Sequence, residues 1–219
     1  MNQPNNVLLH RGDLPAGRLK TTAVAVDTET LGLNPFRDRL CLVQLSSGDG
    51  QAELVQPARD YDAPELKRLL ADPSVLKIFH FARFDMAVLK HYLGVMPHPV
   101  YCTKVASKLA RTFTDRHGLK DLCRELLGIE LSKQQQSSDW GADKLTPEQL
   151  NYAASDVLYL HALREKLDAM LRREGREGSD AVSDSVVGEP SSLPKLHATT
   201  LASQSPPEQS LNLGYAGAR

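Results

Sequence analysis

Short apolar runs separated by turn residues predict strands in the first half of the chain. Residues 22–27 predict one, because β-branched and small apolar residues come before a turn-rich stretch. Residues 40–45 predict another, and the Ser-Ser-Gly-Asp-Gly run that follows predicts a hairpin into residues 51–56. Residues 75–79 predict a further strand and residues 100–103 a short one.

Apolar residues at helical spacing predict the helices. Four shorter ones are expected at residues 64–70, 84–93, 104–110 and 119–127, and Gly94 and Gly128 are typical helix ends. The clearest helix begins after Thr146, which can cap it, with Pro147 in its first turn. Its apolar positions are Leu150, Ala153, Val157, Leu160, Leu163 and Leu167.

The order of these elements predicts the fold class and the domain organisation. Strands come first, partly linked by a hairpin, and strands mixed with helices follow, which favours an α/β fold with a mixed β-sheet flanked by helices. Beyond about residue 173 the chain is rich in Ser, Gly and Pro and has no sustained periodicity. We therefore predict one domain over residues 1–173 and a flexible C-terminal tail over residues 174–219.

Composition narrows the class of protein. The chain has 219 residues with 26 basic and 27 acidic side chains, and this near-neutral balance argues against tight sequence-independent binding of polyanions. Its 3 cysteines are far apart, which fits neither a disulfide framework nor a zinc module and favours a reducing compartment. The N-terminus lacks a signal-peptide pattern, and no apolar run could span a membrane. We therefore expect a cytoplasmic protein with no membrane partner.

Several acids stand where predicted elements could meet. Asp27 and Glu29 are two positions apart at the end of an apolar strand, so alternation places both on one face. Asp85 stands where a predicted helix begins, a position that the helix dipole alone would favour. Tyr152 and Asp156 share one face of the long helix, and Asp156 has apolar neighbours in sequence. Taken alone, the strand pair and Asp85 are more typical of ordinary structure than of a site, and the helical pair is equally typical of both.

The four carboxylates together favour a metal centre. Unpaired buried carboxylates are costly, and divalent cations would offset that cost. Mg²⁺ and Mn²⁺ prefer oxygen ligands. Two such ions, roughly 3.5–4 Å apart, can clamp the attacking and leaving oxygens of a phosphoryl displacement. The acids therefore indicate a phosphoryl displacement in which water attacks the phosphorus.

Three sequence segments resemble, in order, the three motifs of the DEDD superfamily of 3′–5′ exonucleases: DTETLGL, HFARFD and YAASD. One branch of that superfamily has a His five residues before the last Asp, a position that Asn151 occupies here. The other branch has a Tyr four residues before it, as Tyr152 stands here. The chain thus resembles the Tyr branch, and within it the ribonuclease D group, over roughly residues 20–170.

This resemblance implies an RNase H-like (DnaQ-like) exonuclease fold, two divalent metal ions (Mg²⁺ or Mn²⁺) and stepwise release of nucleoside 5′-monophosphates from 3′ ends. The implied metal ligands are Asp27, Glu29, Asp85 and Asp156. Tyr152 would position the attacking water. The implied substrate-binding residues are Thr30, Leu31, His80 and Lys133. Within this set, His80 would contact the sugar or the phosphate of the terminal nucleotide, and Lys133 would lie near the scissile phosphate.

Some alternatives stay open at the level of sequence. Nothing beyond residue 173 resembles the helical HRDC-type domains of longer ribonuclease D proteins, so we expect either a preference for single-stranded RNA 3′ ends or reliance on a partner. A 3′–5′ exonuclease acting on DNA and a non-catalytic nucleic-acid-binding scaffold are the alternatives, and the physiological RNA and the oligomeric state are open. Trp140 could stack on a base or pack its loop onto the body. A cluster of basic residues fits either an RNA path or a solvated helical face: Arg111, Arg116, Lys120 and Arg124.

Overall fold

The computed structural model describes residues 6–132, 134–135 and 138–175. The strands are β1 (Val7–Arg11), β2 (Ala23–Thr30), β3 (Leu40–Ser46), β4 (Ala52–Gln56), β5 (Leu76–Phe79) and β6 (Val100–Cys102). The helices are α1 (Pro64–Ala71), α2 (Arg83–Leu93), α3 (Thr103–Ala110), α4 (Leu119–Leu122), α5 (Pro147–Leu158) and α6 (Leu160–Arg173). A π-helical segment, Cys123–Leu127, continues α4.

The strands form one mixed sheet in the order β1-β4-β3-β2-β5-β6. The central strands β2, β3 and β4 pair antiparallel, which confirms the predicted hairpin between β3 and β4. The outer pairings of β1 with β4, β2 with β5 and β5 with β6 are parallel. This sheet and its helices confirm the predicted α/β class. Strand β1 was not predicted, because its five residues include His10 and Arg11 and its one neighbour in the sheet is β4.

Apolar cores lie on both faces of the sheet. On one face, Ala25 of β2 packs in a cluster with residues of α5 and α6. On the other face, Val24 and Val26 pack with residues of α1 and α2. Because successive side chains of a strand alternate, Asp27 and Glu29 share the face of Ala25, toward α5. Thr28 shares the face of Val26, toward α2.

The predicted long C-terminal helix is wrong in one respect, since it is two helices. Its start is as predicted, because the Thr146 side chain accepts from the backbone of Gln149 and the Gln149 side chain accepts from the backbone of Thr146. The break falls at Tyr159, whose ψ of -3° leaves the regular helical range. Neither Gly nor Pro marks that position and the apolar spacing continues across it, so the sequence pattern could not show the break.

Other expected helix ends are confirmed. Gly94 and Gly128 both adopt the left-handed conformation, with φ of 73° and 71°, at the ends of α2 and of the π-helical segment. The last described helix ends at Arg173, and the predicted tail from residue 176 onward lies outside the described residues. The proposed boundary at residue 173 stays a prediction. Within the described part of the chain, no helix has the length and apolar character needed to cross a membrane.

Candidate metal and substrate site

Three carboxylates from two elements converge beside the sheet. Strand β2 presents Asp27 and Glu29 toward α5, and α5 presents Asp156 toward β2. One carboxylate oxygen from each lies within 4.8 Å of the others. Carboxylate oxygens are the ligands that Mg²⁺ and Mn²⁺ prefer. The donor set of this acidic cluster therefore fits a hard divalent cation.

Asp85 approaches from the opposite face of the sheet and lies outside this group of three. It stands in the first turn of α2, and 4% of its surface is exposed. The Thr28 hydroxyl donates a hydrogen bond of 2.6 Å to its Oδ1. The charge of Asp27 helps to raise the pKa of Asp85, after burial as the main cause, so the two acids interact. The structure thus places all four predicted acids in one region, with three of them in direct proximity.

The electrostatics of the acidic cluster favour a bound cation. Burial raises the pKa of Asp27 to about 7. Burial, followed by repulsion from the neighbouring acids, raises the pKa of Glu29 to about 10. The pKa of Asp156 is also raised, chiefly by burial and then by the charge of Asp27. A divalent cation would offset both burial and repulsion, so its binding would release protons from these groups.

A second layer of neutral donors holds the acids, and sequence reasoning missed it. Gln44 of β3 pairs with Asp27 in the sheet register and is fully buried. Its side-chain Nε2 donates to Oδ2 of Asp27 at 3.3 Å. In the same way, the Thr28 hydroxyl donates a hydrogen bond to the carboxylate of Asp85. The available signal was a polar residue within an apolar strand, as Gln44 is in Leu-Cys-Leu-Val-Gln-Leu-Ser.

Tyr152 lies beside the acidic cluster, and its ring packs against the indole ring of Trp140. Trp140 is 2% exposed, and its ring centroid is 6.0 Å from that of Tyr152. Trp140 therefore packs its loop onto the body, the second of the two readings that its sequence allowed. Burial, followed by the charge of Asp156, raises the pKa of Tyr152 above its ordinary value. Its hydroxyl is therefore protonated at neutral pH and can donate a hydrogen bond.

A cleft of about 700 Å³ opens beside the acidic cluster. Its walls include three of the predicted substrate-binding residues, Thr30, Leu31 and His80. Leu31 is 53% exposed, so its apolar side chain is available to a ligand. The fourth, Lys133, lies outside the described residues.

The basic residues considered for an RNA path have different environments. Arg111 is 2% exposed, forms an ion pair with Glu125 and donates to the backbone oxygen of Arg116 at 2.8 Å. Arg116 and Arg124 also approach Glu125, at 3.5 and 3.6 Å. Of the four, Lys120 lines the cleft. Arg111 is therefore part of a buried structural network and does not form an exposed path.

Comparison with known proteins gives one family model and several relatives. Residues 14–172 match the model of a 3′–5′ exonuclease domain. Ribonuclease D of Granulibacter bethesdensis is 36% identical over 153 residues, which are 70% of this chain and 38% of the relative. The chain spans about four tenths of the length of the curated relatives that it matches first.

Among solved structures, one relative is similar over most of its length. NrnC of Brucella melitensis is 57% identical with a TM-score of 0.79, and the match covers 83% of this chain and 89% of that one. Two further structures of the same protein are described as bound to pGG and with bound Mg²⁺. RNase D of Escherichia coli is 30% identical with a TM-score of 0.63, and the match covers 71% of this chain and 41% of that one.

Proposed function

Because this chain belongs to the 3′–5′ exonuclease family, we propose that it removes nucleoside 5′-monophosphates from the 3′ ends of single-stranded RNA in a reaction that needs divalent metal ions. The matches to ribonuclease D and to NrnC confirm the predicted resemblance and the RNase H-like fold. The observation that carries the proposal is the cluster of Asp27, Glu29 and Asp156 at the wall of an open cleft.

Each site residue has a part in this proposal. Asp27, Glu29, Asp85 and Asp156 would hold two divalent ions. When bound, such ions supply an activated water and stabilise the attacking and leaving oxygens. Tyr152, with a protonated hydroxyl beside the acidic cluster, would orient the water. Two residues directly after the acids, Thr30 and Leu31, would hold the terminal nucleotide.

One of the similar solved structures supports short RNA as a substrate. A structure of Brucella NrnC, 55% identical to this chain, is described as bound to pGG. The cleft of about 700 Å³ is in the range that encloses small ligands. We therefore include 5′-phosphorylated dinucleotides of RNA among the proposed substrates, beside the 3′ ends of longer single strands.

The direct test is the incubation of a 5′-labelled single-stranded RNA, and of 5′-phosphorylated dinucleotide RNA, with the protein and Mg²⁺ or Mn²⁺. We expect stepwise shortening from the 3′ end and release of 5′-monophosphates. A 3′-blocked RNA that shortens as fast as a free one, or full activity in Asp27→Asn, would contradict the proposal. Matched DNA strands decide the DNA alternative by their relative rates. Absence of Mn²⁺ binding in calorimetry would favour the non-catalytic scaffold.

A further inference from the structure

The ring of His80 has a defined proton position. Its Nδ1 lies 2.9 Å from Oγ1 of Thr103, a residue that is fully buried. The Thr103 hydroxyl donates to the backbone oxygen of Phe79 at 3.1 Å. A hydroxyl has one proton to donate, so Thr103 can only accept from His80. Nδ1 of His80 therefore carries a proton.

The second ring nitrogen of His80 is a free acceptor. Burial, followed by the charge of Lys104, lowers the pKa of His80 to about 4, so the ring is neutral at pH 7. A neutral imidazole has one N–H, and here it is on Nδ1, which leaves a lone pair on Nε2. Among the described residues, Nε2 has no hydrogen-bond partner in the protein, and His80 lines the same cleft as the acidic cluster.

Nε2 of His80, as a hydrogen-bond acceptor, can pair only with those groups of a nucleotide that are donors. Phosphate oxygens are acceptors at neutral pH, so they gain nothing from an unprotonated nitrogen. Exocyclic amino groups of bases are donors, but they differ from one base to another. The sugar hydroxyls are donors common to every ribonucleotide, and the 2′-hydroxyl separates RNA from DNA.

We propose that Nε2 of His80 accepts a hydrogen bond from a ribose hydroxyl of the 3′-terminal nucleotide and thereby makes the site selective for substrates that carry that hydroxyl. This inference rests on the proposed exonuclease function. It decides between the two contacts that the sequence left open, since the sugar fits the acceptor and the phosphate does not. His80 is in this account a specificity-determining residue, held in its tautomer by Thr103.

The test compares three substrates that differ at their last nucleotide: all-ribose, 2′-deoxy and 3′-deoxy. In the wild type we expect kcat/KM to fall about tenfold for the substrate that lacks the contacted hydroxyl, as for the loss of one well-placed hydrogen bond. In His80→Phe the same substrate should lose little relative to all-ribose RNA. Leu31→Ala serves as the control, because a weaker grip on the nucleotide should lower all rates and keep the wild-type ratio.

Two results would overturn the sugar contact and leave the proposed function in place. One is an equal penalty for the missing hydroxyl in the wild type and in His80→Phe, in both deoxy arms. The other comes from ¹⁵N NMR of the unmutated protein, which should show an unprotonated Nε2 at pH 7, and a protonated Nε2 would contradict the assignment. If the wild type leaves all-ribose RNA intact with Mg²⁺ and Mn²⁺, the proposed function is wrong, and the assignment of a sugar contact falls with it.

Discussion

The Thr28 hydroxyl donates a hydrogen bond of 2.6 Å to Oδ1 of Asp85, and so joins β2 to α2 across 57 positions of sequence. Thr28 stands between Asp27 and Glu29 and faces the other side of the sheet. Strand β2 thus presents two acids toward α5 and, with the residue between them, fixes a third acid that comes from α2. This arrangement explains how carboxylates from opposite faces of the sheet can serve one centre.

Removal of that hydroxyl should weaken metal binding. Thr28→Val keeps the shape of the side chain but removes the hydroxyl that donates to Oδ1 of Asp85. The loss of such an outer partner typically costs 10- to 100-fold in metal affinity or activity. We expect Mn²⁺ affinity, measured by calorimetry, to fall by about tenfold. Thr28→Ser, which keeps the hydroxyl, should bind Mn²⁺ much as the wild type does. Equal affinity in Thr28→Val and the wild type would show that Asp85 needs no such support.

Tyr152→Phe should separate catalysis from metal binding. The ring that packs against Trp140 is retained, so stability should change little. The hydroxyl that would orient the water is lost, and a poorly placed reactant costs roughly 100-fold in rate. We expect kcat on RNA to fall by about that factor, with Mn²⁺ affinity unchanged in calorimetry. A variant with wild-type kcat would exclude Tyr152 from the reaction.

Glu125→Ala should destabilise the fold by removing the counter-charge of Arg111. Arg111 is 2% exposed, and a buried charge left without its partner is costly. Because the side chain of Glu125 is 29% exposed, we expect a loss of about 2 kcal/mol in the free energy of unfolding, measured with urea. The control Arg116→Gln changes a side chain that is 66% exposed and should alter stability by less than about 0.5 kcal/mol. Equal effects of the two substitutions would argue against a structural ion pair.

Lys77 should give the stability a distinct pH dependence. It is fully buried on β5, donates to the backbone oxygens of Asp72 and His98, and burial lowers its pKa to about 8. An unfolded lysine keeps its proton to about pH 10.4. Between these pH values the unfolded chain binds more protons, so this group makes the folded state more stable as the pH rises. Below about pH 8 both states are protonated, and the penalty of burial is fully present.

The comparison with Lys77→Met isolates that effect, because other titrations cancel. We expect the free energy of unfolding of the wild type to rise by roughly 2 kcal/mol relative to Lys77→Met between pH 7 and 10. The measurement is a series of urea titrations at each pH. Parallel curves for the two proteins would contradict a lowered pKa for Lys77.

The sequence predicted the elements that periodicity and turn chemistry mark. The hairpin between β3 and β4 and the capped start of α5 at Thr146 belong to this class, because local residues decide them. No local sequence feature indicates the break at Tyr159. Strand β1 forms by pairing with β4, which is far away in sequence. Tertiary packing decides both, so a local pattern could not contain them.

The candidate site likewise contains residues that sequence spacing could place and contacts that depend on tertiary packing. Asp27 and Glu29 could be placed on one face by alternation, and Asp156 by its helical spacing from Tyr152. The support of Asp85 by Thr28 joins residues from opposite faces of the sheet, and no sequence spacing encodes it. The buried position of Arg111 also depends on a tertiary partner, Glu125, which explains why the sequence alone left its role open.

We propose that carboxylates of β2, α2 and α5 form one metal centre. Anomalous diffraction from crystals soaked in Mn²⁺ is the sharpest test of this centre, because the signal locates the ions independently of activity. We expect strong anomalous density at this centre, bonded to oxygens of Asp27, Glu29, Asp85 and Asp156 that together hold two ions, and its loss in crystals of Asp27→Asn. An empty cluster at saturating Mn²⁺, with density elsewhere or nowhere, would show that these carboxylates do not form a metal centre.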